Sequence, residues 1–337
     1  MKIAIISVSK KGYELSLKLK EKLDQDSTII KNDIYHKNVK NIFPVLFYEY
    51  DAIIAIMASG ILIRSIAPLV ESKASDPAVL NIDDNGNFVI STLSGHLGGA
   101  NRLTQKVAEM IDATPVITTS TDVNKKLGID VIAKDLYFEI DNTSEILHFN
   151  KAILEGKEIS FTINPNPNYS YLYDYLNENA LEINVSISYS SKISPDEILA
   201  EVEGHELTLR KRKLVVGIGC RRGKECEKIH DALIKSFDDL NLALSRIDML
   251  SSAEIKKDEK GLLELSDKME IPINFVDLER LKLFESNDIQ KSEFVKSKFG
   301  IYGVCEPSAL INAGFDSKLI YKKTSFDGVT IAVAISK

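Results

Sequence analysis

The sequence predicts an α/β protein in which two α/β domains with largely parallel sheets are joined by a small α+β middle region. Three observations predict this class. Short β-branched runs at 2–8, 51–57 and 214–219 are typical of strands buried on both faces. Segments with helical spacing follow such runs, most clearly at 13–23. Glycine and small polar residues separate the two kinds of segment, as in the connections of a parallel sheet.

Changes in composition divide the 337 residues into three predicted parts. An N-terminal α/β domain covers residues 1–138, and a C-terminal α/β domain covers residues 211–337. Between them, residues 139–210 are polar and contain a turn cluster at 164–168, which is typical of a connecting module. The basic run at 210–213 is interpreted as a solvated linker into the last domain.

The charge balance and the cysteines exclude several classes of protein. The net charge of −7 argues against a general nucleic-acid or membrane-surface binder. Cys220, Cys226 and Cys305 follow neither a metal-ligand nor a disulfide spacing and suit a reducing compartment. No apolar run reaches membrane-spanning length, and the first residues lack the apolar region of a signal peptide. We therefore expect a soluble, cytoplasmic protein.

The stretch 93–102 is the most informative part of the N-terminal domain. It lies between the apolar run 87–93 and a segment of helical spacing that begins near Ala100, which predicts a strand-to-helix turn. Its three glycines allow a ligand to approach closely, and the start of the helix favours an anion. His96 in its centre is suited to moving protons near neutral pH. A turn whose histidine only caps the helix is the alternative.

Three other polar turns follow predicted strands of the same domain. They contain Ser9, Ser59 and the segment 118–122. Because ligands of parallel sheets bind beyond the carboxyl ends of the strands, we expect these turns and His96 to line one edge and form a cleft. A hairpin is predicted at 84–86. The alternative is that such loops are polar for no functional reason.

The C-terminal domain begins with the strand 214–219, which leads into a basic, glycine-containing loop. The loop departs in spacing from the dinucleotide fingerprint and from the phosphate loop, so NAD and ATP are weak expectations. Arg221 and Arg222 fit carboxylate recognition better, because a guanidinium pairs bidentately with a carboxylate. Two solvated arginines are the alternative. Glu306 opens a predicted helix, either as an acid or as a dipole-favoured first-turn residue.

Seven stretches carry recognisable motifs, four in the N-terminal domain and three in the C-terminal one. They are IMASGI at 56–61, DPAV at 76–79, VISTLSGHLGGAN at 89–101, VITTSTDVN at 116–124, VGIGCRRG at 216–223, GVCEPSAL at 303–310 and FDGVT at 326–330. Together they resemble the cobalamin biosynthesis protein G family. The middle region carries little of the resemblance, and Ser59 stands where the family often has threonine.

The resemblance implies a cobalt-precorrin-5A hydrolase of anaerobic cobalamin (vitamin B12) biosynthesis, a branch of porphyrin-type metabolism. Such an enzyme opens the δ-lactone of a corrin precursor with water, releases acetaldehyde and gives cobalt-precorrin-5B. The cobalt arrives with the substrate, so no cofactor and no protein-bound metal are expected. The expected partner is the cobalt-corrinoid, together with further copies of the chain in a homo-oligomer and transient contacts with other enzymes of the pathway.

Within this reaction, chemistry assigns roles to residues. His96 is the expected base and later acid, and axial ligation of the substrate's cobalt is its alternative role. Ser59 and Ser94 are expected to position water, and Glu306 is the second acid–base candidate. Backbone N–H groups around Gly98 and Gly99 are expected to hold the oxyanion. The full set of expected substrate-binding residues is Gly60, Arg64, Gly95, Gly98, Gly99, Asn101, Arg102, Thr119, Asp122, Gly219, Arg221 and Arg222.

Two other classes of function stay open at this point. A non-catalytic corrinoid-binding or carrier protein of the same pathway would use the same binding residues without turnover. A nucleotide-dependent enzyme is a third possibility, weakened by the departures from both nucleotide-binding patterns. Release of acetaldehyde without added nucleotide distinguishes the hydrolase from both.

Overall fold

Three β-sheets with covering helices form the fold in the computed structural model, which describes residues 1–73, 75–166 and 168–337, with the backbone alone at residue 294. The first sheet and its helices contain β1 (Lys2–Ser7), α1 (Lys10–Asp24), β2 (Lys31–His36), α2 (Val39–Glu49), β3 (Ala52–Ile56), α3 (Ser59–Ile66), β4 (Ala78–Ile82), β5 (Phe88–Leu93), α4 (Ala100–Ile111) and β6 (Thr114–Val116).

The first sheet has the strand order β2-β1-β3-β4-β5-β6. Strands β1 to β4 are parallel, β5 pairs antiparallel with β4, and β6 runs parallel to β5. Strands β3 and β4 are buried along their whole length, because apolar side chains of the covering helices pack on both faces. This explains their unbroken apolar character.

The reversal at β5 separates the four polar turns. The predicted hairpin between β4 and β5 is confirmed. It sends the carboxyl ends of β5 and β6 to the edge where β4 begins, so a Cβ on Gly98 would lie only 3.4 Å from the backbone nitrogen of Ala78. Ser9 and Ser59 follow β1 and β3 and therefore lie at the opposite edge from His96. The expectation of one common cleft is wrong, because a single antiparallel pair reverses every strand that follows it.

Two elements of the first sheet were not expected from the sequence. Strand β2 has a polar sequence, which suits its place at the sheet edge, and helix α2 contains Pro44. The polar turn expected at Ser9 is the start of a helix. Ser9 caps α1, its hydroxyl accepting a hydrogen bond from the backbone nitrogen of Gly12 at 2.9 Å, so the following residues already form the first helical turn.

The second sheet follows in the middle of the chain, with strand order β7-β11-β10-β8-β9. Strands β10 and β11 form a hairpin with the two loop residues Glu203 and Gly204. Both have positive φ, because a two-residue turn of this kind matches the right-handed twist of the strands that it joins. The elements of this part are α5 (Ser120–Val123), α6 (Ile129–Asp135), β7 (Phe138–Ile140), α7 (Ile146–Leu154), β8 (Glu158–Ile163), α8 (Ser170–Glu178), β9 (Asn184–Tyr189), β10 (Glu197–Val202) and β11 (His205–Lys211).

The third sheet has the order β14-β13-β12-β16-β15. Strands β12, β13 and β14 are parallel, and β16 is antiparallel to both of its neighbours. The strand expected at 214–219 is confirmed. The elements are β12 (Leu214–Cys220), α9 (Cys226–Leu240), β13 (Met249–Ala253), α10 (Lys260–Met269), β14 (Ile273–Val276), α11 (Leu278–Leu283), α12 (Glu293–Phe299), α13 (Cys305–Ala313), β15 (Lys318–Phe326) and β16 (Val329–Ile335).

The chain divides into two compact units. The first contains Met1–Asn166 and Leu176–Arg210, and the second contains Lys211–Lys337 with a short segment that ends at Tyr175. The mixed α/β class is confirmed, while the domain boundaries at 138 and 210 stay predictions. Among the described helices, none has both the length and the apolar character needed to cross a membrane.

Candidate active site

His96 lies in the turn between β5 and α4, and both of its ring nitrogens contact carboxylates from other elements. Its Nε2 is 2.8 Å from Oδ2 of Asp122 in α5. Its Nδ1 is 3.1 Å from Oδ2 and 3.2 Å from Oδ1 of Asp130 in α6. The hydroxyl of Thr121 is 3.0 Å from Nε2. We call the group of His96, Asp122 and Asp130 the carboxylate bracket.

The bracket sets the protonation state of the histidine. Burial of the ring would lower the pKa of His96, but the hydrogen bonds and charges of Asp122 and Asp130 outweigh burial and raise that pKa to about 9. Burial likewise disfavours the charged form of Asp130, yet the bond to His96 lowers the pKa of this carboxyl. At neutral pH the histidine is therefore an imidazolium. An imidazolium donates a proton and cannot accept one, which is the opposite of the state that a base requires.

Two asparagines hold the carboxylates of the bracket. Asn150 in α7 donates from Nδ2 to Oδ1 of Asp130 at 3.0 Å. Asn101 in α4 donates from Nδ2 to Oδ2 of Asp122 and to Oγ1 of Thr119, both at 2.9 Å. The side chain of Asn101 is buried, so it orients these two residues from the protein interior. The expected substrate-binding residues Asn101, Thr119 and Asp122 are thus brought together with His96.

The turn that carries His96 is closed by its own hydrogen bonds. Ser94 has a left-handed backbone (φ 55°), and its carbonyl accepts from the nitrogen of Ala100 at 3.1 Å. The N–H of Gly99 donates to the carbonyl of His96 at 2.8 Å, so it is not available to an oxyanion. The N–H of Gly98 has no acceptor within the described residues. A Cβ on Gly98 would lie 2.4 Å from that of Ser94, so only glycine fits there.

The hydroxyl of Ser94 is buried and forms no hydrogen bond within the part of the chain that the structure describes. A buried hydroxyl without a partner costs about 1–3 kcal/mol, so this hydroxyl keeps the capacity to bond to a water or a ligand atom. The neighbouring Gly95 has a spacing role, because a Cβ there would lie 2.7 Å from Oδ1 of Asn101. The turn therefore presents one unsatisfied hydroxyl and one unsatisfied N–H beside the histidine.

Arg102 is the cation nearest in sequence to His96. It lies in the first turn of α4, and its NH1 is 3.4 Å from Oδ1 of Asp135. This ion pair is long and well exposed, so the guanidinium can exchange its partner for another carboxylate at little cost.

Ser59, Gly60 and Arg64 lie at the other edge of the first sheet, in the helix that follows β3. The hydroxyl of Ser59 donates to Oδ1 of Asn81 at 2.5 Å, and NH1 of Arg64 donates to the carbonyl of Gly60 at 2.8 Å. A five-residue strand spans about 16 Å, so Ser59 cannot position water for His96. The expected cooperation of these two residues is therefore wrong.

In the second unit, the predicted binding residues Gly219, Arg221 and Arg222 lie at the carboxyl end of β12. Both arginines are exposed. Arg222 donates from NH1 to Oδ2 of Asp258 at 2.8 Å, and the backbone N–H of Arg221 donates to the carbonyl of Gly328 at 2.9 Å. Neither guanidinium is enclosed in a desolvated pocket of its own unit. Carboxylate recognition by these residues stays a prediction.

Glu306 is almost completely buried in the first turn of α13, at 1 % exposure. Its Oε2 accepts from the backbone nitrogen of Gln290 at 2.7 Å, and its Oε1 accepts from that of Lys323 at 2.9 Å. Burial raises the pKa of this carboxyl more than the two N–H bonds lower it. Both oxygens are occupied by backbone groups of other segments. These bonds join α13 to β15 and to the segment before α12, which favours a structural role, and the acid–base role of Glu306 stays a prediction.

Sequence reasoning missed two residues of the site, Asp130 and Asn150. Asp130 follows His96 by 34 positions, and Asn150 follows Asp130 by another 20. No short motif connects them, because they come from α6 and α7, two helices that follow the first sheet in sequence and bring these side chains to the turn. A signal that was present is the acidic first turn of α6, where Asp130 stands as the second helical residue.

The mixed α/β fold thus contains a histidine held between two carboxylates, a group of side chains that is chemically able to transfer protons. The chain matches the family domain described as Cobalamin synthesis G N-terminal over residues 41–122 and the one described as Cobalamin synthesis G C-terminus over residues 214–334. The chain belongs to the cobalamin biosynthesis protein G family, as its sequence motifs imply.

Full-length relatives support this membership. The cobalt-precorrin-5A hydrolase of Priestia megaterium is 31 % identical, with 98 % of this chain and 94 % of that protein covered. The probable cobalt-precorrin-5A hydrolase of Methanocaldococcus jannaschii is 33 % identical, with 99 % of each chain covered. The crystal structure of a cobalamin biosynthesis protein G homologue from Sulfolobus solfataricus superposes with a TM-score of 0.61 at 28 % identity, over 100 % of this chain and 97 % of that one.

Proposed function

We propose that this chain hydrolyses cobalt-precorrin-5A, opening its δ-lactone with water and releasing acetaldehyde. The observation that carries the proposal is the carboxylate bracket, which stands on the motif of residues 89–101 in a chain whose full-length relatives are named for this activity. Hydrolysis of a lactone requires a donor for the leaving oxygen, an acceptor for a proton of water and a group that stabilises the oxyanion. The turn and the bracket contain a candidate for each.

His96 is the candidate donor. Its pKa of about 9 keeps a proton on the ring at neutral pH. The proton on Nε2 is the one proposed to transfer, because Nε2 contacts Asp122, the more exposed of the two carboxylates. In this role the acyl C–O bond of the lactone breaks, and the proton of Nε2 passes to the leaving alkoxide. The new hydroxyl then returns its proton to the ring and becomes the carbonyl of acetaldehyde, while the C–C bond to the macrocycle breaks and its electron pair passes to the macrocycle. The two carboxylates stabilise the charged ring before transfer, so it starts as an acid and becomes able to act as a base only afterwards.

Asp122 is the candidate acceptor. One of its oxygens, Oδ2, is bound by His96 and Asn101, while Oδ1 has no partner within the described residues. The side chain is 31 % exposed, so water can reach it. Water attacks the carbonyl carbon and passes its proton to this carboxylate. The hydroxyl of Ser94 and the N–H of Gly98 are the proposed contacts for the water and for the oxyanion.

The substrate itself accounts for the other expectations. Its cobalt arrives bound to the corrin, so the reaction is proposed to need no metal from the protein. Arg102, Arg221 and Arg222 are proposed to pair with peripheral carboxylates through exposed guanidinium groups. The proposed location is the cytoplasm, and a homo-oligomer with transient contacts to other pathway enzymes is the proposed assembly.

The decisive experiment incubates the purified chain with cobalt-precorrin-5A and no nucleotide. Acetaldehyde is trapped with a hydrazine and quantified by chromatography, which avoids the nucleotide of a coupled assay. The expected result is one acetaldehyde for each substrate consumed, together with a corrinoid product whose lactone is open. Binding of the corrinoid without acetaldehyde would instead favour the carrier alternative. A strict requirement for NAD or ATP would favour the nucleotide-dependent one.

A further inference from the structure

We propose that Glu145, His148 and His205 form a site for a divalent transition-metal ion such as Zn²⁺. One ligand atom from each residue lies within 4.8 Å of the other two. Glu145 directly precedes α7 and His148 lies in its first turn, so their spacing of three places both on one face of the helix. His205 is the first residue of β11. We call this group the His–Glu cluster.

Two of the three side chains are already joined by a hydrogen bond, whose proton lies between the atoms that would hold the ion. Nδ1 of His205 is 2.8 Å from Oε2 of Glu145. The rings of His148 and His205 stack with centroids 4.0 Å apart and planes inclined by 12°. Within the described residues, Glu145 forms no ion pair with a lysine or arginine, so its negative charge is available to a cation.

The distances allow an ion to replace that proton. Zn–N bonds of about 2.0 Å and Zn–O bonds of about 2.1 Å at a tetrahedral angle place N and O about 3.3 Å apart. The observed 2.8 Å must therefore open by roughly half an ångström. Two stacked rings cannot both direct a lone pair at one ion, so His148 must rotate, and its exposure permits this. Imidazole and carboxylate ligands suit Zn²⁺, Co²⁺ and Ni²⁺, and three of them leave a fourth position for water.

The backbone around the cluster is well fixed. Glu203 and Gly204 form the tight turn of the β10–β11 hairpin, and Val202 pairs with His205 across it. The start of α7 lies opposite this turn. An ion held by all three ligands would therefore join the helix to the hairpin, and binding to the native state alone would stabilise the fold. The proposed hydrolysis uses none of these three residues, so we expect the ion to change the stability of the fold and not the turnover.

The test titrates the metal-free full-length chain with Zn²⁺ in calorimetry, and with Co²⁺ by visible absorption, under reducing conditions. We expect tight binding of about one ion per chain to depend on the cluster, with affinity at least ~10-fold weaker in His205→Ala and in His148→Gln. His230→Ala removes a histidine of α9 outside the cluster and is the matched control, expected to keep the affinity of the parent chain. Circular dichroism establishes that each variant is folded.

Three outcomes would overturn the proposal. The parent chain binds no Zn²⁺ at about 100 μM, a concentration at which a site of useful affinity is filled. Alternatively, His205→Ala and His148→Gln bind as tightly as the parent, which would assign the ion to other groups such as the three free cysteines. Lastly, Zn²⁺ raises the melting temperature of His148→Gln as much as that of the parent chain. Because His148 is exposed, this variant retains the fold, and the test stays decisive if His205→Ala does not.

Discussion

Asp130 and Glu306 are both buried carboxylates in the first turn of a helix, at 4 % and 1 % exposure, yet their environments differ in kind. Asp130 contacts the ring of His96, which lowers the pKa of the acid despite burial. Glu306 contacts two backbone N–H groups, and burial raises the pKa of that carboxyl. Equal burial thus accompanies opposite shifts, because one partner is a charged ring and the others are amides.

The comparison separates a carboxylate beside the proposed proton donor from one that is bound only to the backbone. An imidazole can give up its proton and take it back, so a carboxylate beside it influences catalysis. A backbone amide keeps its proton, so a carboxylate beside it only ties segments together. The group that a buried carboxylate contacts therefore predicts the effect of replacing it. A substitution beside the histidine should slow the reaction, and a substitution beside backbone amides should destabilise the protein.

Replacement of His96 is expected to have the largest effect. His96→Ala and His96→Gln should each lower kcat for acetaldehyde release by roughly 10²–10⁴-fold, because neither side chain transfers a proton. His230→Ala should retain full activity and serves as the control. A folded His96→Ala protein with the turnover of the parent would remove His96 from the chemistry. A change in the visible spectrum of the bound corrinoid in both variants would instead indicate ligation of its cobalt.

The pH profile tests the order of the proton transfers. If His96 acts first as an acid, kcat/KM should fall by about tenfold per pH unit above its pKa of about 9, because the ring loses its proton there. A base would give a rate that rises toward the same pH. Asp130→Asn should move this limb to lower pH, since one of the two stabilising charges is lost. Asp135→Asn, at a carboxylate that pairs with Arg102 and does not shift the pKa of His96, should leave the limb in place.

The same bracket should make stability depend on pH. The folded pKa of about 9 lies above the unfolded value of 6.5, so the stabilisation is complete below pH 6.5 and is lost as pH rises to about 9. It amounts to on the order of 3 kcal/mol at most. Urea unfolding of the parent chain and of His96→Gln at pH 6 and pH 9.5 measures it. An equal loss of stability in both proteins would show that the bracket contributes nothing.

Glu306→Gln should affect stability and spare the chemistry. An amide offers only one acceptor oxygen, so one of the two backbone N–H groups loses its partner, at a cost of about 1–3 kcal/mol. Turnover per folded molecule should be unchanged. Glu279→Gln, at an exposed residue of α11, is the control. A hundredfold loss of kcat in a stable Glu306→Gln protein would reverse the assignment.

Arg222→Ala is expected to have the smallest effect. The guanidinium is solvated and already paired with Asp258, so its removal should raise KM by less than about fivefold and leave kcat unchanged. The effect should disappear at high salt. An increase in KM that is large and independent of salt would mean that the bound substrate encloses this arginine.

Local patterns predicted most elements correctly, because strand burial and helical spacing are written in neighbouring residues. The turn at His96 is an example: β5 ends at Leu93 and α4 begins at Ala100, close to the expected positions. The placement of the His96 turn and the Ser59 turn at opposite edges of the first sheet was missed, although the sequence contained a signal for it. A hairpin at 84–86 makes β5 antiparallel to β4, and β6 then follows the direction of β5.

The site was predictable only in part. His96, Thr119 and Asp122 stand in motifs, and their turns could be placed at strand ends. Asp130 and Asn150 reach the bracket through the packing of α6 and α7, which depends on tertiary contacts between distant segments. The protonation state of His96 follows from having two carboxylates rather than one, so it could not be predicted while Asp130 was unknown.

The reversal of β5 also has an electrostatic consequence. Where all strands are parallel, the helices that follow them begin at the same edge of the sheet, and the positive ends of their dipoles add up there. Here α1 begins beyond β1, whereas α4 begins beyond β5, at the opposite edge. Each helix end corresponds to roughly half an elementary charge. The first sheet therefore has no single positive pole, because the amino termini of its helices are divided between its two edges.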